Sequence, residues 1–148
     1  MRKVDTAGII TTFAGSGVEG SSGAVGPATA AALKDPRDVA FDRDGNVYIA
    51  DTYGYRIRKV DTSGTISTFA GNGQYGNGGD GGQATAAQVL AFDLAFDGAG
   101  NLYFADSWLD KVRRIDRRGA VTTVAGNGFP HFRGDGGPAL DAQIHGIQ

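Results

Sequence analysis

Short stretches of alternating apolar and polar residues, separated by glycine-containing turns, run through most of the chain. The clearest series is Asp38 to Asp42, Val47 to Asp51, Arg56 to Asp61 and Thr65 to Ala70. Alternation with a period of two is typical of β-strands, and β-branched and aromatic residues favour them. Turn-forming residues at 43–46 and 62–64 join the stretches. The middle of the chain therefore predicts one antiparallel unit of four short strands.

The same pattern returns later in the chain and is present in part before it. Strands are predicted at Phe92 to Asp97, Asn101 to Asp106, Lys111 to Asp116 and Ala120 to Ala125. Near the start only two are predicted, at Lys3 to Asp5 and Ile9 to Ala14. Residues 144–148 reach only the beginning of another first strand. The pattern thus predicts half a unit, two whole units and a short remainder.

A fourteen-residue string recurs in register with these units. It runs from Arg58 to Gly71, and its other copies begin at Arg2 and Arg113, which gives steps of 56 and then 55 residues. Self-similarity at a nearly fixed period is the mark of a repeat architecture. The units are therefore expected to be copies of one structural motif.

Each unit is followed by a long glycine-rich segment. The second is the clearest: Gly71 to Gly82 contains Gly79-Asp80-Gly81-Gly82, and Gln83 to Val89 predicts a helical turn that Asp80 caps. The third long loop spans residues 126–142. The first departs from the pattern, because Gly23-Ala24-Val25-Gly26 replaces the Gly-Asp-Gly-Gly element.

A single four-stranded sheet leaves both faces uncovered, so such units stack radially as the blades of a β-propeller. Residues 41–51, 56–61 and 64–71 resemble the NHL repeat, and Gly79 to Ala86 is similar to the long loop between blades in bacterial NHL proteins. The resemblance covers essentially the whole chain. It implies an all-β fold, an NHL-like β-propeller segment of about two and a half four-stranded antiparallel blades.

The division follows from the repeat. We expect one partial propeller over residues 1–148, with a half blade and loop at 1–33, a full blade at 34–88, and a full blade, loop and initial strand at 89–148. Complete propellers typically have about 4–8 blades. The expected partner is therefore either the remainder of a longer propeller or further copies of this chain, as a homo-oligomer.

Composition narrows the function classes only slightly. The 148 residues include 25 glycines and no cysteine, so disulfides and thiolate metal sites are excluded. The net charge of −2 gives no general attraction to nucleic acid or to an anionic membrane. No apolar run approaches the roughly 20 residues that span a bilayer. Because repeat sequence follows Met1 directly, we expect no signal peptide and no membrane partner.

Motifs that could carry chemistry are few. Asp42 to Asn46 partly matches a calcium loop, but an Asx-type hairpin turn explains the same residues without the missing Glu. The loop at Asp80 lacks the Lys and Ser or Thr of a phosphate-binding loop. Only His131 and His145 are present, so the several histidines of zinc-holding propeller lyases have no match. We therefore expect no metal, no cofactor and no catalytic residue. The alternative is a fragment of a propeller lyase or lactonase whose metal ligands lie elsewhere.

Basic residues recur in each predicted third strand. Arg2, Arg58 and Arg113 occupy equivalent positions, and some NHL propellers bind RNA through a positive face. Each copy also carries its own acid, Asp5, Asp61 or Asp116. Charge-paired, solvated strands are therefore expected, with RNA binding kept as an alternative function and nucleic acid not expected as a partner.

Aromatic residues gather in the long loops and in the turns between second and third strands. In a propeller these segments emerge on one face, and exposed aromatic residues beside arginine are typical of recognition surfaces. The sequence predicts a non-catalytic binding or scaffolding module for a protein segment or glycan. The alternative is that Phe129 and Phe132 fold inward and fix the third loop. The candidate ligand-binding residues are Tyr53, Tyr55, Tyr75, Trp108, Phe129, His131, Phe132 and Arg133.

Overall fold

A computed structural model describes residues 1–147, and its regular structure is almost entirely β. The only helical segments in that range are four 3₁₀ turns of three residues each. None of them is long or apolar enough to cross a membrane. The strands are β1 (Arg2–Val4), β2 (Ile10–Thr12), β3 (Val25–Pro27), β4 (Pro36–Phe41), β5 (Val47–Asp51), β6 (Arg56–Val60), β7 (Thr65–Ala70), β8 (Ala91–Phe96), β9 (Leu102–Asp106), β10 (Lys111–Ile115) and β11 (Val121–Ala125).

Three antiparallel sheets correspond to the three parts of the repeat. The β1–β2 hairpin stands alone, β4 to β7 form the second sheet in chain order, and β8 to β11 form the third. The predicted half unit and two whole units are therefore present, and the all-β fold is confirmed. The expected further strand at residues 144–148 is not formed within the described residues up to 147, and residue 148 lies outside them.

One strand was not expected from the sequence. β3 comes from the first long loop and pairs antiparallel with β7, which makes the second sheet five-stranded. The second long loop makes the same approach to the third sheet through a single bridge between Gln83 and Ala120. Each of these loops thus packs on the outer edge of the sheet that follows it.

The hairpin turns follow the Asx chemistry that the sequence predicts. In the turn after β4, Asp42 Oδ1 accepts hydrogen bonds from the amides of Asp44 and Asn46 at 3.0 and 2.9 Å. Asp97 repeats the arrangement with Ala99 and Asn101. Asp42, the first carboxylate of the partial match to a calcium loop, is therefore engaged by its own turn, whereas Asp44 is exposed.

The two complete sheets pack face to face near their inner strands. The Tyr48 ring meets Phe69 of its own sheet and Phe96 of the next, each with centroids 4.8 Å apart. Two hydrogen bonds cross the same boundary, from the Leu94 amide to Asp38 Oδ2 at 2.7 Å and from the Thr52 hydroxyl to the Ala91 carbonyl at 2.8 Å. Apolar packing and these polar links fix the two sheets relative to each other.

Glycine is required where each outer strand leads into its long loop. Gly71 has φ +91°, and an added Cβ would come within 2.2 Å of the Tyr55 carbonyl oxygen. Gly126 is equivalent, with φ +87° and 2.1 Å to the Asp110 carbonyl oxygen. The last residue of the repeated string is therefore the point at which the loop passes over the preceding turn.

Candidate functional site

Four of the predicted site residues form one aromatic cluster, which we call the aromatic surface: Tyr53, Tyr55, Tyr75 and Trp108. Tyr53 and Trp108 lie 5.9 Å apart between ring centroids, and Tyr75 lies 6.4 Å from Trp108. Tyr55 extends the cluster on the far side of Tyr75, at 5.9 Å. The rings meet at interplanar angles of 57–73°, so they form an uneven surface with crevices rather than a flat platform.

Two equivalent turns hold Tyr53 and Trp108 side by side. Each lies in a 3₁₀ turn, at Thr52–Gly54 and Ser107–Leu109, which follows the second strand of its sheet. Both turns end on a left-handed residue, Tyr55 in the first and Asp110 in the second. The first turn is fixed from below by the buried Thr52 hydroxyl, which bonds across to Ala91 of the next sheet. The aromatic surface therefore spans the boundary between two sheets on fixed backbone.

Tyr75 comes to the cluster from the second long loop. That loop begins at Gly71, and its tip is held by the Gln88 side chain, whose Oε1 accepts the Gly78 amide at 3.0 Å. Tyr75 and Trp108 remain 51% and 58% exposed. They are therefore the cluster members most available to a ligand.

A positively charged side chain, which was not predicted from the sequence, lies at the border of the aromatic surface. The Arg37 guanidinium lies 5.8 Å from the Tyr53 ring centroid and 5.4 Å from that of Phe92. Asp35 holds it there, with Oδ2 2.8 Å from Arg37 Nη2. Arg37 lies near the start of β4. This position was the only signal in the sequence that it could lie near the predicted face.

The other four candidates lie apart from this cluster. Phe129 and Phe132 are 61% and 79% exposed, and His131 and Arg133 are exposed beside them. Phe132 meets only the His145 ring, at 6.2 Å, and among residues 1–147 no ring contact joins the third loop to Trp108 or Tyr75. The inward-folded alternative for Phe129 and Phe132 is wrong. The structure divides the eight predicted residues into two groups of four.

The predicted solvation of the third-strand arginines holds for Arg2, which is exposed, and is wrong for the other two. Arg58 and Arg113 are 0% and 1% exposed. Arg113 donates to Asp80 Oδ1 from Nε at 3.0 Å and from Nη2 at 2.8 Å, and its Nη1 lies 3.4 Å from Asp106. These two arginines join the long loops to the sheets and present no charge to a ligand.

Asp80 has a different role from the helical cap expected of it. The 3₁₀ turn Ala84–Ala86 has no side-chain cap, whereas Asp80 Oδ2 accepts the Thr123 amide at 3.0 Å and the Thr123 hydroxyl. Burial opposes ionisation of Asp80, but the hydrogen bonds from Thr123 and Arg113 outweigh it and lower its pKa. We call this group of Asp80, Arg113 and Thr123 the loop latch.

The second sheet has the arginine of a latch without the carboxylate. Arg58 donates from Nη2 to the Gly23 carbonyl, and its Nη1 is 3.8 Å from Asp51 Oδ2. Arg58 Nε and Nη1 and Asp51 Oδ2 have no hydrogen-bond partner. The missing carboxylate is that of the Gly-Asp-Gly-Gly element, because Ala24 occupies the position of Asp80.

Comparison with known proteins agrees with this architecture. Residues 17–78 match the family model described as the Teneurin NHL domain. The match covers less than half of the chain and supports the NHL-repeat family. The resemblance seen in the repeated string is thereby confirmed.

A solved structure supports the fold, and two others are similar to parts of the chain. A structural genomics protein of unknown function from Bacteroides thetaiotaomicron is 20% identical, covers 95% of this NHL chain and 33% of its own, and superposes with a TM-score of 0.72. A streptogramin B lyase is 18% identical, with coverages of 69% and 28% and a TM-score of 0.47. Virginiamycin B lyase from Staphylococcus aureus is 17% identical, with coverages of 60% and 26% and a TM-score of 0.44. The chain spans about a third or less of these structures' lengths.

A second concave region lies between the two complete NHL units, at the end of the strands away from the aromatic surface. It is an open groove of about 890 Å³ lined by three hairpin turns, at 42–44, 97–100 and 116–119. Its charges are mixed, and hydrogen bonds from Asn101 and from the Ala120 amide lower the pKa of Asp97 and Asp116 respectively. Within residues 1–147 no group of three or more histidine or carboxylate side chains is arranged to hold a metal ion. Since the turns use these carboxylates, the groove offers less to a ligand than the aromatic surface does.

Proposed function

We propose that this NHL chain is a non-catalytic binding module that recognises a protein segment through the aromatic surface. The observation that carries the proposal is the contiguous contact of Tyr53, Tyr55, Tyr75 and Trp108 across two sheets, with Trp108 and Tyr75 more than half exposed. Tyrosine, tryptophan and arginine are the residues that most often dominate the energy of binding at protein interfaces.

The geometry of the rings favours a protein segment over a glycan. A sugar ring stacks on one flat aromatic face, whereas the rings here are tilted by 57–73° to one another. The crevices between tilted rings suit the side chains of an extended peptide, as in the aromatic-lined grooves that bind proline-rich segments. Tyrosine hydroxyls at the edges of such crevices supply donors for peptide carbonyl groups.

Rigid support makes the aromatic surface suited to binding. Its first turn is anchored by the buried Thr52 and its long loop by Gln88. A surface that is already ordered loses little conformational entropy when it binds. Arg37, in its ion pair with Asp35, adds a polar border beside the aromatic rings.

Peptide selection with matched variants tests the proposal. The chain is immobilised and used to select binders from a random peptide display library, and the affinities of the selected peptides are then measured for the chain and for Trp108→Ala. We expect a loss of affinity of about 30-fold or more, corresponding to about 2 kcal/mol for a central aromatic anchor. Because Trp108 is 58% exposed, its removal should leave the fold intact.

Phe41→Ala is the matched control. Phe41 is equally exposed, at 64%, but it lies at the other end of β4 from Pro36, which pairs with Asp51 beside the Tyr53 turn. It should leave peptide affinity unchanged. Equal losses for the two variants, or binding of a glycan array with no peptide recovered, would overturn the assignment to a protein segment.

A further inference from the structure

A packing unit that joins a long loop to the next outer hairpin occurs twice in this chain. In the first instance, Ala28, Ala31 and Leu33 of the first loop lie in one core cluster with Val60 and Ile66 of β6 and β7. In the second, Ala84, Ala87 and Val89 of the second loop lie in one with Ile115 and Val121 of β10 and β11. All ten side chains are buried. Loop and hairpin are thus two halves of one apolar contact.

Backbone pairing and the loop latch fix the register of this unit. The Gly81 amide donates to the Val121 carbonyl at 2.7 Å, and the Val121 amide donates to the Gly82 carbonyl at 3.0 Å. Asp80 then reaches both Arg113 and Thr123. Main-chain bonds, a charge-assisted pair and an apolar contact therefore act at the same place.

One hairpin half is left over at the β1–β2 hairpin. By the 56-residue step, Arg2 and Thr12 occupy the positions of Arg58 and Thr68, which correspond to Arg113 and Thr123 of the loop latch. Val4 and Ile10 occupy those of Val60 and Ile66, yet they are 60% and 55% exposed where their counterparts are 0% exposed. This hairpin therefore has an uncovered apolar face beside an exposed arginine.

One loop half is left over in residues 126–147. The third loop repeats the internal hydrogen bonds of the second, since Gly126 and Asn127 donate to Ala139 and Ala142 as Gly71 and Asn72 donate to Ala84 and Ala87. Asp135 corresponds to Asp80, but it is exposed and has no salt-bridge partner among the described residues. Ala139 is also exposed, although its counterparts Ala28 and Ala84 are 2% exposed.

We propose that these two halves bind each other between copies of this chain. The third loop of one copy packs on the β1–β2 hairpin of the next, with Asp135 accepting hydrogen bonds from Arg2 and Thr12 and with Ala139 and Ala142 covering Val4 and Ile10. The charges are complementary as in the loop latch, and the apolar residue types match those of both contacts that the chain makes internally. The association is head to tail, so each copy retains one free half until a ring closes.

Charge reversal tests the association. The solution mass of the chain is measured by sedimentation velocity over a wide range of concentrations, together with Asp135→Arg, Arg2→Asp and the double variant. We expect the mass to rise with concentration, each single reversal to weaken association by about tenfold or more, and the double variant to recover it. Asp44→Arg, which reverses an exposed carboxylate in a hairpin turn, is the matched control and should associate as the parent chain does.

Several outcomes would overturn this proposal. A mass that stays that of one chain at every concentration excludes a second copy as the partner of the β1–β2 hairpin. Association that neither single reversal weakens, or that Trp108→Ala abolishes, assigns the contact to another surface. The result is independent of the peptide-binding proposal, because the residues of the two surfaces do not overlap.

Discussion

Arg113 and Arg58 are the same residue of the repeat in two different electrostatic settings. Arg113 forms an ion pair with Asp80 at 2.8 Å. The buried Asp106 on its other side is therefore a second carboxylate beside a guanidinium whose charge is already balanced. Burial raises the pKa of Asp106 to about 7, although Arg113 opposes that rise. Arg58 has only Asp51, at 3.8 Å, and burial raises the pKa of Asp51 as well. The two arginines differ in their partners because the loop before Arg58 has Ala24 at the position where the loop before Arg113 has Asp80.

The pKa of Asp106 predicts a pH dependence of stability. Because the folded-state pKa of about 7 lies above 3.8, the ordinary pKa of an aspartate side chain, the folded state binds the proton more tightly than the unfolded state does. The stability contributed by protonated Asp106 is complete below pH 3.8 and is lost as the pH rises through about 7. We expect the free energy of unfolding, measured by urea titration, to fall on the order of a few kcal/mol between pH 5 and pH 8.

Asp106→Asn is the comparison variant for this slope. Asparagine keeps an oxygen that can accept the Leu90 amide but does not titrate. Its stability should therefore fall less over the same pH interval than that of the parent chain, because only the contribution of Asp106 is removed. Equal losses of stability in the parent chain and in Asp106→Asn between pH 5 and pH 8 would contradict the raised pKa of Asp106.

At the scale of elements, each of the first two long loops is stabilised by contacts with the sheet that follows it. The first loop adds β3 to the edge of β7, and the second uses the loop latch at the equivalent edge. Both cover an otherwise exposed strand edge, which protects the sheet from pairing with other chains. The first loop makes the longer main-chain pairing, and the second makes the stronger polar contact.

Completing the latch in the first loop should stabilise the second sheet. In Ala24→Asp the new carboxylate would take the place of Asp80 beside Arg58, whose Nε lacks a partner, and beside Thr68, which corresponds to Thr123. Because Asp80 itself is 41% exposed, solvent screening limits the expected gain to about 1 kcal/mol, or about 2–4 °C in Tm. Thermal unfolding of Ala24→Asp and the neutral control Ala24→Asn measures it, and equal Tm values for the two would show that the charge contributes nothing.

The elements themselves were largely predictable, whereas their long-range contacts were not. Alternation is a local signal, so ten of the eleven strands follow from it within a few residues, but β3 contains Val-Gly-Pro and exists only because β7 offers an edge. Burial of Arg58 had a readable signal, since it shares a strand face with Val60, which is 0% exposed. That signal is weak on its own, because buried and solvated arginines have the same place in an alternating pattern.

The site was predictable to the same limited degree. Turn and loop positions were enough to predict that four residues lie on one surface, since equivalent turns in adjacent blades must be neighbours. These residues are Tyr53, Tyr55, Tyr75 and Trp108. The third loop followed the same rule in the sequence, but its aromatic residues differ in position from Tyr75, and among residues 1–147 no sheet follows it. Arg37 was missed because its place beside Tyr53 depends on its pairing with Asp35.

At the scale of the whole molecule, the described chain has a fixed interior and two exposed features for which we propose binding roles. Its two complete sheets share one core around Tyr48, and the aromatic surface lies across the end of that interface. The second feature consists of the β1–β2 hairpin and the third loop, which share no residue with the aromatic surface. The two proposed contacts can therefore be tested separately.

Trp108 allows the central claim to be tested directly, because it is the only tryptophan in the chain and it is 58% exposed. Its fluorescence is followed while a peptide selected on the chain is added. Burial of the indole by the peptide predicts a blue shift of the emission and reduced quenching by acrylamide, saturating at the concentration that saturates binding. A peptide that binds to saturation while the emission and quenching of Trp108 stay unchanged would contradict binding at the aromatic surface.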